Sequence, residues 1–230
     1  MKIVRFVLCA KFIATMMLTS CTGGITNVVT IGQQVWMSEN LNVDKFRNGD
    51  PIPEVKTDEE WENAGNNEQP AWCYYNNDPA NGDKYGKLYN WYAIRDPRGL
   101  APEGWHVLRY EEWGVLVKYL GGDVTAGLKM KNPSGWTNVG ELGTKINIKS
   151  DQGTNETGFS GLPGGYRFSG FHNIGAKVEW WSSTSTSKGQ VYRGAHTRTL
   201  SFNDGWRYNY VFDDDQTYKS NGCSVRCVKD

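Results

Sequence analysis

The sequence has no charge excess, few histidines and, past its first twenty residues, no long apolar run. Its 25 Lys+Arg balance 25 Asp+Glu over 230 residues. A nucleic-acid binder needs clustered excess positive charge to displace counterions from phosphates, so that class is excluded. The three histidines, His106, His172 and His196, stand far apart, and no H-x-H, HExxH or CxxC spacing occurs. A tetrahedral zinc site therefore has no local signature. A Walker loop, a G-x-S-x-G elbow and a Rossmann fingerprint are missing too. No repeat of about 20 to 50 residues appears, nor a Pro/Ser linker. A mean hydropathy of −0.60 leaves no room for a membrane bundle.

What is present begins with a leader. Lys2 and Arg5 precede an apolar run from Phe6 to Leu18 that only Lys11 interrupts. That run is too short to cross ~30 Å of hydrocarbon and reads as a signal peptide. Leu18-Thr19-Ser20-Cys21 resembles a bacterial lipobox, which implies cleavage before Cys21 and acylation of its thiol. The expected organisation is a signal over 1–20, lipidated Cys21 with a short tether over 21–26, and one domain over 27–230. After removal of the leader, 22 basic and 25 acidic side chains remain, a net charge of −3.

The exported domain then holds Cys73, Cys223 and Cys227, so at most one internal bridge can form. Cys223 and Cys227 would lie about 13 Å apart along one strand, beyond disulfide reach. Any bridge must involve Cys73. A Cys73–Cys227 link is the one expected, and the alternative is three free, buried thiols.

Local patterns place several elements. Val28–Ile31 and Gln34–Met37 flank Gly32-Gln33 as a short hairpin. Thr57-Asp58-Glu59-Glu60 is a capping box opening a helix through Trp61 and Ala64. Residues 76–86, with Asp78-Pro79 and Asn81-Gly82, read as turns, and 88–94 has no clear period. Trp113, Leu116, Val117 and Leu120 recur at i, i+3, i+4 and i+7, which predicts a helix from Tyr110 ended by Gly121-Gly122. Beyond it, short alternating runs at 191–196, 199–202, 208–212 and 224–228 predict antiparallel strands. The fold class is α+β, with two or three short helices on one side of a twisted antiparallel sheet.

Seven ordered segments carry a resemblance over nearly all of the mature chain: Ile31-Gly32-Gln33-Gln34-Val35-Trp36-Met37, Glu39-Asn40-Leu41, Tyr85-Gly86-Lys87-Leu88-Tyr89-Asn90-Trp91, Pro102-Glu103-Gly104-Trp105-His106-Val107, Gly161-Leu162-Pro163-Gly164-Gly165-Tyr166-Arg167, Trp180-Trp181-Ser182-Ser183-Thr184 and Ser224-Val225-Arg226-Cys227-Val228-Lys229-Asp230. Together they resemble the Fibrobacter succinogenes major paralogous domain. The resemblance implies an exported, lipid-anchored protein of the cell envelope, at the outer membrane, in Fibrobacter or a Bacteroidetes relative. A more distant likeness to formylglycine-generating enzymes implies a C-type-lectin-like fold. Their reactive cysteine pair has no counterpart here, because no cysteine occurs between Cys73 and Cys223. No enzymatic activity is expected, with an enzyme related to formylglycine-generating enzymes as the less favoured alternative. The family usually places a Ser/Thr-Asp cap where Leu108-Arg109-Tyr110 stands, so the following helix should lack about 1 kcal/mol of capping.

Two ligand chemistries remain. Asn76, Asn77, Asp78, Asn81 and Asp83, or Asp213, Asp214 and Asp215, could supply hard oxygens to calcium, but neither set fits a ligand template. The expectation is no cofactor, with calcium as the alternative. Aromatics reach 13 % and crowd the C-terminal half, Phe168 and Phe171 among them. They form core, or they form a platform where flat rings stack on sugar faces beside polar planar groups. The candidate ligand-binding residues are Trp181, Tyr192, Arg193, Asn203, Asp204, Trp206 and Tyr208. The expected partner is a glycan, or alternatively another envelope protein.

Overall fold

The computed structural model describes residues 27–137, 153–186, 194–201 and 211–230, with the backbone alone for 211–216. Strands β1 (Val28–Ile31) and β2 (Gln34–Met37) form the predicted hairpin. Helix α1 (Asp58–Asn66) opens on the predicted capping box. Thr57 Oγ1 accepts from the Glu60 N–H at 3.2 Å, and Glu60 Oε2 accepts from the Thr57 N–H at 3.3 Å. Strand β3 (Trp72–Cys73) follows, then helix α2 (Pro79–Tyr85), strand β4 (Leu88–Tyr89), helix α3 (Trp91–Arg95) and strand β5 (Trp105–Val107). Helices α4 (Tyr110–Tyr119) and α5 (Asp123–Met130) close this half.

The remaining strands are β6 (Gly164–Arg167), β7 (Phe171–Ile174), β8 (Lys177–Ser185), β9 (Gly194–Ser201), β10 (Val211–Tyr218) and β11 (Cys227–Lys229). One sheet runs β1-β2-β11-β5, a second β10-β9-β8-β6-β7, and β3-β4 form a ribbon. All pairs are antiparallel except β6 with β8. The architecture is α+β. Five α-helices lie among the described residues rather than the two or three expected. Within 76–86, Asp78 caps α2 by accepting from the Ala80 N–H at 3.0 Å, and Pro79 occupies its first turn. The runs at 191–196 and 199–202 belong in part to a single strand, β9.

Strand β8 organises the core. Successive side chains point to opposite faces, and here both faces are covered. Trp180 and Trp181 are each fully buried, in different clusters. Trp180 packs edge-on to Phe159, with centroids 5.4 Å apart, and beside Trp113 of α4 at 5.8 Å. Trp181 faces Tyr89, Trp91 and Trp105, and its Nε1 donates to the Tyr89 carbonyl at 2.7 Å. The predicted apolar stripe of α4, Trp113, Leu116, Val117 and Leu120, is buried as expected. Arg109 offers α4 no acceptor at its N-cap. The orphan donors are met from elsewhere: Thr184 Oγ1 of β8 accepts from the Tyr110 N–H at 3.0 Å, and Glu112 Oε2 accepts from the Arg109 N–H at 2.8 Å.

The resembling segments meet at one buried arginine. Arg226 donates from Nη1 to the Met37 and Phe159 carbonyls at 3.0 and 2.7 Å. Its Nε and Nη2 both reach Asn40 Oδ1, which also accepts from Trp180 Nε1 at 2.8 Å. Burial pushes the guanidinium down to about 9, which still leaves it charged at neutral pH. Carbonyl and amide dipoles, with the Phe159 ring 4.3 Å beneath, are its partners.

Candidate binding cleft

The expected Cys73–Cys227 bridge is not formed. Cys73, Cys223 and Cys227 form no disulfide among the described residues, and all three are buried. Cys73 packs with Trp61, Tyr75 and Leu88, whereas Cys227 packs with Tyr89, Trp105 and Val225, so the two thiols belong to separate apolar clusters. Burial pushes Cys73 up to about 11 and Cys227 up to about 12, which keeps both protonated and unreactive.

Trp181 is also corrected. It is core, with its indole N–H already bonded, and cannot reach a ligand. Strand alternation turned its neighbour Trp180 to the opposite face, but that face is filled by α4. The other expected ligand residues, Tyr192, Arg193, Asn203, Asp204, Trp206 and Tyr208, lie outside the described residues, as does Cys21. Of the calcium candidates, Asp78 caps α2, Asn77 Nδ2 donates to the Lys56 carbonyl and Asn81 Nδ2 to that of Tyr75. Among the described residues no three His, Cys, Asp or Glu side chains gather as a metal site. The side chains of Asp213, Asp214 and Asp215 lie outside the description.

A cleft of about 390 Å³ opens where α1, the β6–β7 turn and the end of β10 converge. Its floor is Trp61, whose Nε1 donates to the Ser220 carbonyl at 2.8 Å. Phe168 and Tyr218 stand at its mouth, 46 % and 42 % exposed, with ring planes within 6° of parallel and centroids 6.1 Å apart. Phe168 is presented by a three-residue turn closed by its own N–H on the Gly170 carbonyl at 2.8 Å. Ser169 within that turn has φ of +46°, a left-handed conformation costly for a residue with a Cβ. Behind the rings, Arg167 and Gly222 exchange two backbone hydrogen bonds at 2.8 and 2.9 Å. A Cβ on Gly222 would come within 2.9 Å of the Trp61 ring and 3.0 Å of Arg167 Cβ, so the close approach that shapes the floor requires glycine there.

The polar wall centres on Arg167 and Asn221. The Arg167 side chain is 1 % exposed and lies between the Trp61 and Phe171 rings, 4.6 and 4.9 Å from their centroids. It donates to the Val55 and Lys56 carbonyls and to Asp58 Oδ1 at 2.7 Å. Asn221 also lines the cleft. It is 92 % buried by its 8 % exposure, and Oδ1 has no hydrogen-bond partner among the described residues. An orphaned buried acceptor costs about 1–3 kcal/mol, which a donor arriving in the cleft would recover after a turn of the amide.

Two other concavities are less equipped. One beside Asn40, of about 290 Å³, borders the Arg226 cluster, whose donors are already bonded. A shallower one of about 410 Å³ is rimmed by Arg47, Arg95, Arg109 and His106. Arg47 there is bonded to the Ala101, Pro102 and Trp105 carbonyls. His106 bridges two carboxylates, with Nδ1 2.6 Å from Asp230 Oδ1 and Nε2 2.9 Å from Glu112 Oε1. Burial opposes protonation of this ring, but the bonds to Glu112 and Asp230 outweigh it and raise its pKa. Neither concavity combines exposed rings with an unsatisfied polar wall.

The aromatic signal was visible in the sequence, since Phe168 belongs to the C-terminal crowd of rings. Tyr218 and Trp61 were not distinguishable as its neighbours, because 61, 168 and 218 meet only through tertiary packing. The comparisons with known proteins agree with the segment matches. The family model described as Fibrobacter succinogenes major domain matches residues 29–229, and the chain belongs to that family. No curated protein and no solved structure matches the chain.

Proposed function

We propose that this member of the family is an exported, lipid-anchored binding protein of the cell envelope, held at the outer membrane, which engages a glycan in the Trp61–Phe168–Tyr218 cleft. The observation that carries the reading is the parallel, exposed pair Phe168 and Tyr218 beside the buried amide of Asn221. Flat rings supply apolar contact to a sugar face, and a few fixed polar groups beside them select hydroxyls. No catalytic role is assigned to the cleft.

The test is binding of the purified full chain to a panel of plant and host polysaccharides, with calcium and with chelator. Saturable binding to one glycan class is expected, reduced at least tenfold in Phe168→Ala/Tyr218→Ala. Both rings are exposed, so thermal stability should hold in that variant. Binding that the double substitution leaves unchanged would remove the cleft from the reading. Loss of binding in chelator would bring calcium into it.

One observation favours a protein partner instead. Val115 and Tyr119 of α4 and Val124 of α5 are exposed apolar side chains, 54 %, 65 % and 46 %. Absence of glycan binding by folded protein, with self-association or capture of an envelope protein lost in Tyr119→Ser, would favour an adhesive role.

A further inference from the structure

The cleft's charge points to a more particular ligand than glycan in general, an inference that rests on the reading above. Asp58 and Glu62 both line the cleft and stand at i and i+4 of α1. That spacing stacks them on one helix face, where like charges oppose the helix by a few tenths of a kcal/mol. Asp58 engages Arg167 through Oδ1 alone, and Glu62 has no hydrogen-bond or ion-pair partner among the described residues. The single cation in the lining, Arg167, is buried, and its Nη1 and Nη2 are bonded to two carbonyls and Asp58; only Nε is unbonded among the described residues, and it is buried away from the cleft surface. Two lysines close to lining residues in sequence are directed elsewhere. Lys56 pairs with Glu54 at 3.3 Å, and Lys219 Nζ lies 4.4 Å from the Trp91 ring centroid.

The cleft thus presents two carboxylates, one paired with Arg167, beside two half-exposed rings stacked on one another. Both features attract a cation and disfavour an anion, since ring faces carry negative quadrupole density and the carboxylates carry charge. We infer that the cleft is selective for amino sugars, with the ammonium group set against Glu62 and Asp58 and the sugar face against Phe168 and Tyr218. Uronic and sulfated sugars are excluded by the same charges.

Three soluble oligomers separate the outcomes: a β-1,4-linked glucosamine hexamer, cellohexaose as its neutral counterpart, and a hexagalacturonate. At about pH 5.5 the glucosamine amines are largely protonated. The full chain should bind the glucosamine hexamer about tenfold more tightly than cellohexaose and should not bind the uronate. The preference should shrink in added salt and fall to about threefold in Glu62→Gln, an exposed position whose change leaves the Arg167–Asp58 pair intact. Phe168→Ala should weaken the amino and neutral oligomers alike, which separates a bound sugar from unspecific attraction of a polycation. Equal affinity for cellohexaose, tighter binding of the uronate, or a preference untouched by Glu62→Gln would each overturn the charge selection while leaving glycan binding standing. Failure of all three oligomers and of the polysaccharide panel to bind folded protein would overturn both readings.

Discussion

Arg226 holds Asn40 Oδ1 in a fork, with Nε at 3.1 Å and Nη2 at 2.9 Å, and Trp180 Nε1 shares the same oxygen. Three segments of the family resemblance, those containing Asn40, Trp180 and Arg226, therefore meet at one amide oxygen, and Met37 of a fourth accepts from Arg226 through its carbonyl. What they encode at this point is a buried polar node rather than a ligand site. The opposite end of the amide is also used, since Asn40 Nδ2 donates to the Tyr85 carbonyl at 2.8 Å.

Removing that oxygen should be costly. In Asn40→Ala, three donors lose their acceptor around a charge that has no carboxylate partner among the described residues, and a loss of about 3–5 kcal/mol is expected. Asn40→Asp keeps an acceptor oxygen and should recover part of it. Urea denaturation at unchanged m-value checks this, and an alanine variant within about 0.5 kcal/mol of the parent would show that the node contributes little.

The thiol assignment gives a second prediction. Cys73, Cys223 and Cys227 should resist alkylation in the folded chain and become modified together on denaturation, as mass mapping of the three peptides would show. Reducing agent should leave the melting temperature unchanged. A melting temperature that falls on reduction, or a mapped Cys73–Cys227 peptide pair, would restore the bridge.

Much of the first half was legible because its signals are local. The hairpin around Gly32, the Thr57–Glu60 cap and the α4 stripe each depend on residues within two turns of one another. Helix α2 reads as turns in the sequence because its start signal, Asp78-Pro79, coincides with turn chemistry and because Gly82 sits inside it. The structure explains that glycine: a Cβ there would lie 2.1 Å from the Tyr74 ring. Strand β8 escaped notice for the opposite reason. A strand buried on both faces has no alternation to detect, and Trp180-Trp181 looks the same whichever face is counted. The cleft was the least legible part, since Trp61, Phe168, Tyr218 and Asn221 come together from separate elements.

Thr184 supplies the third prediction. Its hydroxyl replaces a helix cap that Arg109 cannot provide, and it does so from β8 rather than from the chain preceding α4. Thr184→Val keeps the shape and removes the acceptor, so a loss of about 1 kcal/mol is expected, seen as a fall of roughly 2–4 °C in melting temperature. Placing Ser at 109 in the valine background should offset the loss through a different bond, because an N-cap hydroxyl accepts from the Glu111 or Glu112 N–H. A valine variant as stable as the parent would mean that water serves the Tyr110 N–H equally well.

The His106 bridge gives a pH dependence with two signs. Its folded pKa lies above the ordinary 6.5, because the bonds to Glu112 and Asp230 outweigh burial. The folded state therefore holds this proton more tightly than the unfolded chain. That stabilisation is complete below about pH 6.5 and is lost as pH rises through the folded value. Glu112 runs the other way. Burial raises its pKa, but the Arg109 N–H and His106 together bring it below its ordinary 4.5. Its contribution is complete above about pH 4.5 and disappears as pH falls through the folded value. The pair is thus fully formed between those limits, joining β5 to α4 and to Asp230. Melting temperatures measured from about pH 4 to pH 9 should decline on the alkaline side in the parent, and His106→Gln should remove that part of the slope. Parallel curves for parent and variant above about pH 6.5 would show that His106 is not the group responsible.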